Sequence, residues 1–387
     1  MIKKILIFSL LISFITFTQS IASETKKRFT NNDANFYFTS LFLKTTFEEK
    51  KDNFVISPLS VYTATTLLAN GTDGNSTTEL ENILNPKKHP FMPSRPINIE
   101  KLNTNLSKYI TQKNKTIKIT NTIAGNDFKP EYINKVQNEL FAILDKTKAE
   151  TYKLKLINEV DFNDEWLSPF NINNTSTKEF YSLDGSTDLV DMMHENMRLV
   201  DYYQDEKMQA IRLPYKDENF MHIFLPKENV NFNKFVQDLS AENLYLDYKP
   251  IPTELFIPKF QFDYNIPDMI TFFKKWGIND IFDTHTANLT QLTNFKYYVS
   301  EIIHKAKIKT DETGTEAHAS TTIILSRALL AQKTLEPKKW KMTFNANRPF
   351  IFMINNGDFI GIYSKGIRFN KEKKLDTTKV SSSKTLP

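Results

Sequence analysis

Cysteine is absent from this chain of 387 residues, which excludes disulfide bonds, thiolate metal sites and a cysteine nucleophile. The Gly-x-Ser-x-Gly elbow of serine hydrolases is also missing, and His194, His222 and His285 lack the spacing of metal ligands. A Ser/His/Asp triad scattered along the chain stays open as an alternative, because triad partners need not be neighbours in sequence. We therefore expect no cofactor, no metal and no enzymatic activity.

No Gly/Ser linker, abrupt change of composition or internal repeat divides residues 30–370. With 40% apolar and 13% aromatic residues, the chain as a whole can bury a large core. The residues after Asn370 are polar, rich in lysine and without periodicity, so we expect a disordered tail over residues 371–387.

The formal charge of +5 comes mostly from the two ends of the chain. Lys3 and Lys4 lie in the first residues and five lysines lie in the tail, so the body is near neutral and nucleic-acid binding has little support. One local group could bind a polyanion, although an ordinary solvated face is the alternative: Lys108, Lys113, Lys115 and Lys118.

The first residues have the pattern of a secretory signal peptide. MIKK is followed by the short apolar run ILIFSLLISFITF, and the small residues Ser20 and Ala22 precede a plausible cleavage site. We expect residues 1–22 to be removed and the protein to be secreted or periplasmic. A retained membrane anchor is the alternative, but the apolar stretch is short and is interrupted by Ser and Thr.

Both helical and strand patterns occur along the body. Phe38, Leu41, Phe42 and Thr45 share one side of a predicted helix, and Pro58 stands near the start of another. Strands are predicted over 117–123, 208–213, 220–225, 253–257 and 349–354, bounded by Pro, Gly, Asn and Asp. The mixture predicts an α+β fold with large sheets.

The run from His304 to Leu330 reads as a strand that is flanked like an exposed loop. From residue 315 onward one face is small and then apolar, as a strand that slides between packed neighbours requires. The other face is mostly polar, and an ordinary edge strand is the alternative. The inner face carries Thr315, Ala317, Ala319, Thr321, Ile323 and Leu325; the outer carries Glu316, His318, Ser320, Thr322, Ile324 and Ser326.

Five blocks of sequence, in order, resemble the serpin family of serine protease inhibitors. The segment 312–317, preceded by YVSEIIHKA, resembles the hinge of the serpin reactive-centre loop. The chain looks like a secreted or periplasmic member of bacterial type. The other blocks are NFVISPLSVYTATTLLANGTDGNS (53–76), VDMMHENMRLVDYYQDEKMQAIRLPYKDENFMHIFLP (190–226), ELFIPKFQFDYNIPDMITFFKKWGINDIF (254–282) and NRPFIFMINN (347–356).

The resemblance implies a single serpin-like domain over residues 23–370, with large mixed or antiparallel sheets, packed helices and an exposed loop at about 312–343. It also implies that a target serine protease, or as an alternative a cysteine protease, attacks the loop and is trapped as an acyl-enzyme while the cut loop inserts into the main sheet. A monomer is expected. The hinge residues would be Glu312, Gly314, Thr315, Glu316, Ala317, Ala319 and Thr321.

Two further groups of residues correspond to functional positions of the family. Ser57, Ser60, Asn158 and His304 match a buried polar cluster beneath the strands that part, although His304 alone would read as a satisfied core histidine. Trp166 and Lys259 match the point where the loop first enters the sheet, with Lys259 a candidate ion-pair partner of Glu312. A core tryptophan and a surface lysine are the alternative.

The scissile bond is less well determined. The family's usual spacing from Glu312 reaches Ala328, which predicts cleavage at Ala328–Leu329 by an elastase-like protease. A shift of one residue would place Arg327–Ala328 in a trypsin-like pocket. The interval from Gly314 to Pro349 is also about ten residues longer than the family pattern, so Lys333, Lys338 and Lys339 are outside candidates.

One region departs from the family more seriously. A helix is predicted over 130–146, with Ile133, Val136, Leu140 and Ile143 on one stripe, and a strand follows at 154–166. The family has a further helix and a strand between these, and residues 146–154 are too few to hold them. We therefore expect the helix that crosses the main sheet to be missing or shortened. Glu159 and Asp161 also replace the apolar or small residues expected beside Asn158.

This departure keeps a second function open. A serpin-fold protein without inhibitory activity could act as a binding or chaperone-like module whose loop is cleaved without trapping the protease. The intact hinge pattern favours the inhibitor.

Overall fold

The computed structural model describes residues 33–85, 97–146, 150, 152–240, 244–315 and 342–369. Within these residues none of the helices is both long enough and apolar enough to cross a membrane. The helices are α1 (Asp33–Glu49), α2 (Pro58–Ala69), α3 (Gly74–Leu84), α4 (Ile99–Lys113), α5 (Pro130–Leu140), α6 (Phe232–Asp238) and α7 (Ile270–Lys275).

The main sheet is the one that carries the candidate site. Its strand order is β3-β2-β4-β12-β13-β5, and β11 pairs with β12 in addition. The pair β4–β12 is parallel, whereas β2–β4, β11–β12, β12–β13 and β13–β5 are antiparallel. The strands are β2 (Ile117–Ala124), β3 (Ile143–Asp145), β4 (Lys153–Phe162), β5 (Asp164–Glu165), β11 (Phe260–Ile266), β12 (Tyr298–Thr310) and β13 (Gly314–Thr315).

The second sheet lies against one face of the main sheet. Its order is β1-β16-β15-β9-β8-β7-β10-β14, and β6 pairs with β7. The strands are β1 (Phe54–Ile56), β6 (Ser176–Tyr181), β7 (Thr187–Gln204), β8 (Met208–Pro214), β9 (Phe220–Pro226), β10 (Lys249–Pro258), β14 (Met342–Asn345), β15 (Phe350–Ile354) and β16 (Phe359–Tyr363).

Helix α2 lies in the interior, with all twelve of its residues buried. Its start is determined locally, because Pro58 stands in the first turn and the Ser57 hydroxyl accepts a hydrogen bond from the Ser60 amide at 3.1 Å. In α1, Phe38 and Phe42 are fully buried, as the apolar stripe predicted. The two helices therefore confirm the sequence pattern, and α2 presents Ser57 and Ser60 to the main sheet.

Aromatic residues fill the space between the two sheets. Phe162 of β4 meets Phe359 of β16 with ring centroids 5.9 Å apart, and Phe260 of β11 meets Phe352 of β15 at 4.9 Å. All four side chains have no exposed surface. Each buried phenylalanine contributes roughly 2 kcal/mol of hydrophobic stabilisation, so these strands are held from the inner face.

The five predicted strands are confirmed as β2, β8, β9, β10 and β15. The helix predicted over 130–146 was too long, because α5 ends at Leu140 and Phe141 adopts the left-handed conformation with φ of 55°. Ile143, placed on the helical stripe by the sequence, is instead 51% exposed in β3. The strand that the family has between this helix and β4, for which residues 146–154 were too few, is therefore present as β3.

The connection from β3 to β4 spans residues 146–152. Among the residues described in this connection there is no helix. On the solvent side of the sheet, alternate residues of β4 from Lys153 to Asp161 are exposed or half-exposed, while the intervening ones are buried. This pattern is typical of a sheet with one face in the core and the other facing water.

Candidate functional site

A fork in the main sheet forms the candidate site. Strands β4 and β12 pair in parallel as far as Asp161 and Lys307. Beyond these residues β5 continues the line of β4, and β13 lies between β5 and β12, with Thr315 opposite both Asp164 and Thr310. A strand that continued β13 in the same register would have to pass between β4 and β12.

Gly314 approaches β5 too closely for any side chain. A Cβ at this position would overlap the Asp164 carbonyl oxygen and lie 2.6 Å from the Glu165 Cα. Gly314 is not among the glycines with positive φ, so the space rather than the torsion angle requires glycine here.

Replacing Gly314 by alanine should push β13 away from β5 and lower the free energy of unfolding by about 1–3 kcal/mol. Denaturant unfolding would measure the loss, and amide exchange at Thr315 would locate it. Lys234→Ala is a suitable control, since the Lys234 side chain is exposed on α6. Equal stability of Gly314→Ala and the unchanged protein would contradict the close approach.

Thr315 is fully buried at the tip of the fork. Its Oγ1 lies 2.6 Å from the Tyr215 hydroxyl and 3.0 Å from Thr310 Oγ1, so three hydroxyl groups form a buried chain. Burial raises the pKa of Tyr215 well above its ordinary value. The inward orientation predicted for Thr315 is therefore the one observed.

Trp166 covers this hydroxyl chain. Its ring stacks on Tyr215 with centroids 4.2 Å apart and an interplanar angle of 10°. Its Nε1 donates to the Asp311 carbonyl at 2.9 Å, and its amide donates to the Thr313 carbonyl at 2.9 Å. Trp166 thus holds the turn between β12 and β13 from both its side chain and its backbone.

Lys259 and Glu312 form a buried ion pair beside Trp166. Lys259 Nζ lies 2.9 Å from Glu312 Oε2, and the side chains are 9% and 7% exposed. Thr175 donates to Glu312 Oε1 at 2.7 Å. Burial alone would raise the pKa of Glu312, but the hydrogen bonds from Thr175 and Lys259 prevail and hold it below the usual value. The pair anchors the first residue of the hinge.

The four polar residues singled out by the sequence meet on the buried face of β4 and β12, away from the fork. His304 and Asn158 are opposite in register. The Ser57 amide donates to His304 Nε2 at 3.2 Å, so Nδ1 carries the proton and donates to Asn158 Oδ1 at 2.6 Å. The Asn158 amide then donates to the Ser60 hydroxyl and, at 2.6 Å, to Asn121 Oδ1.

This polar cluster bridges α2, β2, β4 and β12, and separation of β4 from β12 breaks the hydrogen bond between His304 and Asn158. The Ser57 hydroxyl donates to the Asp358 carbonyl at 2.6 Å rather than to His304, and His304 has no exposed surface. The arrangement is therefore not that of a serine nucleophile activated by a histidine base.

Acidification should weaken this cluster. Burial lowers the pKa of His304 from 6.5 to about 3, so its contribution to stability is present above pH 6.5 and is lost as the pH falls toward 3. Burial also lowers the pKa of His222 to about 3, so His222 adds to the loss of stability at low pH. Burial raises the pKa of Asp358 from 3.8 to about 6, and its protonation as the pH falls partly offsets the loss from the two histidines. At pH 5 His304 alone should account for about 2 kcal/mol.

The check is the thermal unfolding midpoint between pH 7 and pH 5. We expect it to fall with decreasing pH in the unchanged protein and to fall less steeply in His304→Gln. His285→Gln is the control, because the His285 side chain is 89% exposed. An equal slope in His304→Gln and in the unchanged protein would show that His304 does not titrate as its burial requires.

Several residues of the site were missed by the sequence reading. Asn121 and Thr175 lie far from the hinge in sequence and carry no local signal. Tyr215 could have been found, since it lies in the block 190–226 that resembles the serpin family. Asp164 lies in β5 opposite Thr315 and accepts a hydrogen bond from Asn219 at 2.8 Å. Burial raises the pKa of Asp164.

Part of the predicted site lies outside the described residues. Arg327, Ala328 and Leu329 of the proposed scissile bonds belong to residues 316–341, as do four of the hinge residues: Glu316, Ala317, Ala319 and Thr321. The predicted signal peptide (1–22) and tail (371–387) also lie outside the described residues. Of the lysines proposed for polyanion binding, Lys113 donates to Asn219 Oδ1 at 2.6 Å, while Lys108, Lys115 and Lys118 are exposed.

Known proteins share this architecture. The model of the serpin (serine protease inhibitor) family matches residues 32–151 and 133–363. Serpin B5 of Xenopus laevis is 27% identical over 364 residues, covering 82% of this chain and 90% of its own. A leukocyte elastase inhibitor of Xenopus tropicalis is 24% identical, covering 84% and 96%.

A solved structure gives the same result at the level of the fold. The native state of the thermophilic serpin tengpin superposes with a TM-score of 0.70 at 25% identity, covering 87% of this chain and 94% of its own. The two sheets, the buried α2 and the fork at β13 are thus accompanied by a family match over most of the chain. This protein belongs to the serpin family.

Proposed function

We propose that this protein inhibits a serine protease as a suicide substrate: the protease cuts the loop after β13, remains bound as an acyl-enzyme, and is trapped when the loop inserts between β4 and β12. The observation that carries the proposal is the fork. β13 already lies between β5 and β12 with Thr315 buried, at the position where an inserting strand would begin. The boundary between β4 and β12, called the seam here, is a parallel pair that a new antiparallel strand could enter. The family description as protease inhibitors supports it.

Insertion must be faster than hydrolysis of the ester for trapping to occur. The hydrogen-bonded cluster of Ser57, Asn158 and His304 lies under the seam and can exchange partners as the strands separate. The Lys259–Glu312 pair holds the start of the hinge while the rest of the loop moves. These two features have distinct parts: one controls opening of the sheet, and the other fixes where insertion begins.

The target class follows from the scissile bond. Cleavage at Ala328–Leu329 would suit an elastase-like enzyme, and the relative named leukocyte elastase inhibitor supports this choice. Cleavage at Arg327–Ala328 would suit a trypsin-like enzyme. A cysteine protease stays an alternative target, and binding of a polyanion at the exposed lysines of α4 and β2 has weaker support.

The helix that the family places across the main sheet is part of the same proposal, since we infer that it is missing or shortened here. The β3–β4 connection has seven residues, enough for about 10 Å of helix, whereas the ten residues of β4 span about 33 Å. Without that helix to displace, insertion needs only the seam to open. The other reading is a non-inhibitory binding or chaperone-like protein, which an unprotected sheet would also allow.

Export to the periplasm or the outside of the cell, in a monomeric protein of bacterial type, completes the proposal. The charged start and short apolar run of residues 1–22 support export. N-terminal sequencing of the protein recovered outside the cytoplasm would show whether cleavage follows Ala22, and sedimentation would give the oligomeric state.

The test is to mix residues 23–387 with an elastase-like and a trypsin-like protease and to look for an adduct that survives boiling in SDS. Mass spectrometry of the released peptide identifies the bond. Ala328→Asp should abolish the adduct with the elastase-like enzyme and Arg327→Gln the adduct with the trypsin-like one. A protease whose catalytic serine is blocked is the control. Clean cleavage by both enzymes without any adduct would favour the non-inhibitory reading.

A further inference from the structure

The water-facing side of the main sheet carries matched charges across the seam between β4 and β12. Glu159 of β4 lies opposite Lys305 of β12, and their charged atoms are 2.8 Å apart. Nearer the start of both strands, Lys155 of β4 lies 3.3 Å from Glu301 of β12, with which it is paired in register, and 2.5 Å from Glu150. The two ion pairs have opposite polarity and both join the strands that the proposed insertion would separate.

The charge pattern continues over the neighbouring strands. In the register of the sheet, one row runs across β2, β4, β12 and β11 with alternating sign: Lys118, Asp161, Lys307 and Asp263. Three of these side chains are exposed and Lys307 is half-exposed. Directly opposed unlike charges on one face of a sheet stabilise strand pairing, and like charges destabilise it.

Between the two ion pairs, Ile157 faces Ile303. Both isoleucines are only half-buried. Along each strand, their described neighbours on this face are the charged residues of the two ion pairs. The inner face of the seam, in contrast, holds the buried hydrogen-bonded cluster. The seam is thus closed by side chains on both faces, with charges outside and hydrogen bonds inside.

We infer that the cross-strand ion pairs Glu159–Lys305 and Lys155–Glu301 act as an electrostatic latch that regulates opening of the β4–β12 seam, in place of a covering helix. The latch makes seam opening sensitive to ionic strength, because exposed pairs are screened by salt whereas the inner hydrogen bonds are not. Its regulatory purpose rests on the proposed function, but opening of the seam can be measured without any protease.

The experiment is hydrogen exchange of the amides of Lys153–Phe162 and Tyr298–Thr310 in residues 23–387. Lys305→Glu places a carboxylate against Glu159 and should speed exchange across the seam about three- to tenfold. Adding Glu159→Lys to that variant restores an unlike pair in reverse and should return the rates to near those of the unchanged protein. In 1 M NaCl the unchanged protein should exchange faster and Lys305→Glu more slowly, so that the two converge.

Lys365→Glu is the matched control. Lys365 pairs with Asp184 at 2.8 Å and is exposed to a similar extent, but it lies away from the seam. Seam exchange that is the same in Lys305→Glu, in Lys365→Glu and in the unchanged protein would overturn the latch. So would a Lys305→Glu effect that the Glu159→Lys reversal leaves intact, since that would indicate lost packing rather than charge.

The outcome is separable from the fate of the proposed function. If no protease forms an adduct but seam exchange responds to charge and salt as expected, the latch stands and the inhibitory role fails. If adducts form but exchange does not respond, the inhibitory role stands and the latch fails.

Discussion

Thr315→Arg should convert the proposed inhibitor into a substrate, with the loop cut at the same bond but the protease released. Thr315 has no exposed surface, and its surroundings are the hydroxyl groups of Tyr215 and Thr310. An arginine at this position would have to enter a site where the carboxylate of Asp164, the residue opposite in β5, already accepts a hydrogen bond from Asn219. Burying a charge without a dedicated partner costs several kcal/mol.

An arginine that stays in water would displace β13 from the sheet, so in the proposed mechanism insertion would have to bury it and would bear that cost. A barrier raised by only about 1.4 kcal/mol slows insertion tenfold, which is enough for hydrolysis of the acyl-enzyme to prevail. The measurement is the number of inhibitor molecules consumed per protease inactivated, which we expect to rise at least about tenfold. Near-UV circular dichroism would show that the variant is folded.

Thr315→Ser is the matched control for this prediction. Serine keeps the hydroxyl group that contacts Tyr215 and Thr310, so it should leave the stoichiometry near that of the unchanged protein. An arginine variant that still forms the SDS-stable adduct with unchanged stoichiometry would show that Thr315 need not be buried during trapping.

The second large effect concerns the ion pair of Lys259 and Glu312. Lys259→Met leaves the Glu312 carboxylate buried with the Thr175 hydroxyl as its remaining side-chain partner among the described contacts. Lys259 Nζ also lies 4.5 Å from the centre of the Phe369 ring, and methionine can retain that packing. Removing one partner of a buried pair lowers the free energy of unfolding by roughly 3–5 kcal/mol.

The contribution of Glu312 to the pH dependence of stability should change sign in this variant. In the unchanged protein Glu312 has a lowered pKa, so its stabilisation is present above its unfolded pKa of 4.5 and is lost as the pH falls. Without Lys259, burial should raise the pKa of Glu312, so that the stability lost in Lys259→Met relative to the unchanged protein becomes smaller as the pH falls below neutrality. Denaturant unfolding at pH 5 and pH 8 would separate the two cases.

Glu312→Gln combined with Lys259→Met completes a double-mutant cycle. The glutamine keeps an acceptor for Thr175 and removes the buried charge, so the double variant should recover much of the stability lost in Lys259→Met. A Lys259→Met protein within about 0.5 kcal/mol of the unchanged protein, the range of ordinary surface substitutions, would mean that the pair is solvated in solution.

The features that sequence reasoning found are those with a local or periodic signal. The start of α2 is determined by Pro58 and the Ser57 cap, which act within one turn. The strands β2, β8, β9, β10 and β15 are apolar runs bounded by turn residues. The hinge, the polar cluster and the partners Trp166 and Lys259 were found through resemblance to the serpin family, because no local pattern joins Lys259 to a glutamate 53 positions away.

The features it missed depend on packing between distant segments. The end of α5 at Leu140 is decided by the pairing of β3 with β2, which competes with the helical stripe that included Ile143. The requirement for glycine at 314 comes from the backbone of β5, about 150 residues earlier in the chain. Helix propensity and hydrophobic periodicity describe only residues close together in sequence, so they predict neither the pairing of β3 with β2 nor the contact of β5 with Gly314.

By itself, the sequence determined the α+β class and the absence of disulfides and of a local catalytic motif, and its alternation over residues 315–326 predicted a strand able to enter a sheet. Only the tertiary structure decided that Thr315 is already buried between β5 and β12, that Tyr215 and Thr175 complete the site, and that unlike charges face each other across the β4–β12 seam. The physical reason is that period and local capping act over a few residues, whereas strand register brings together groups separated by about 150.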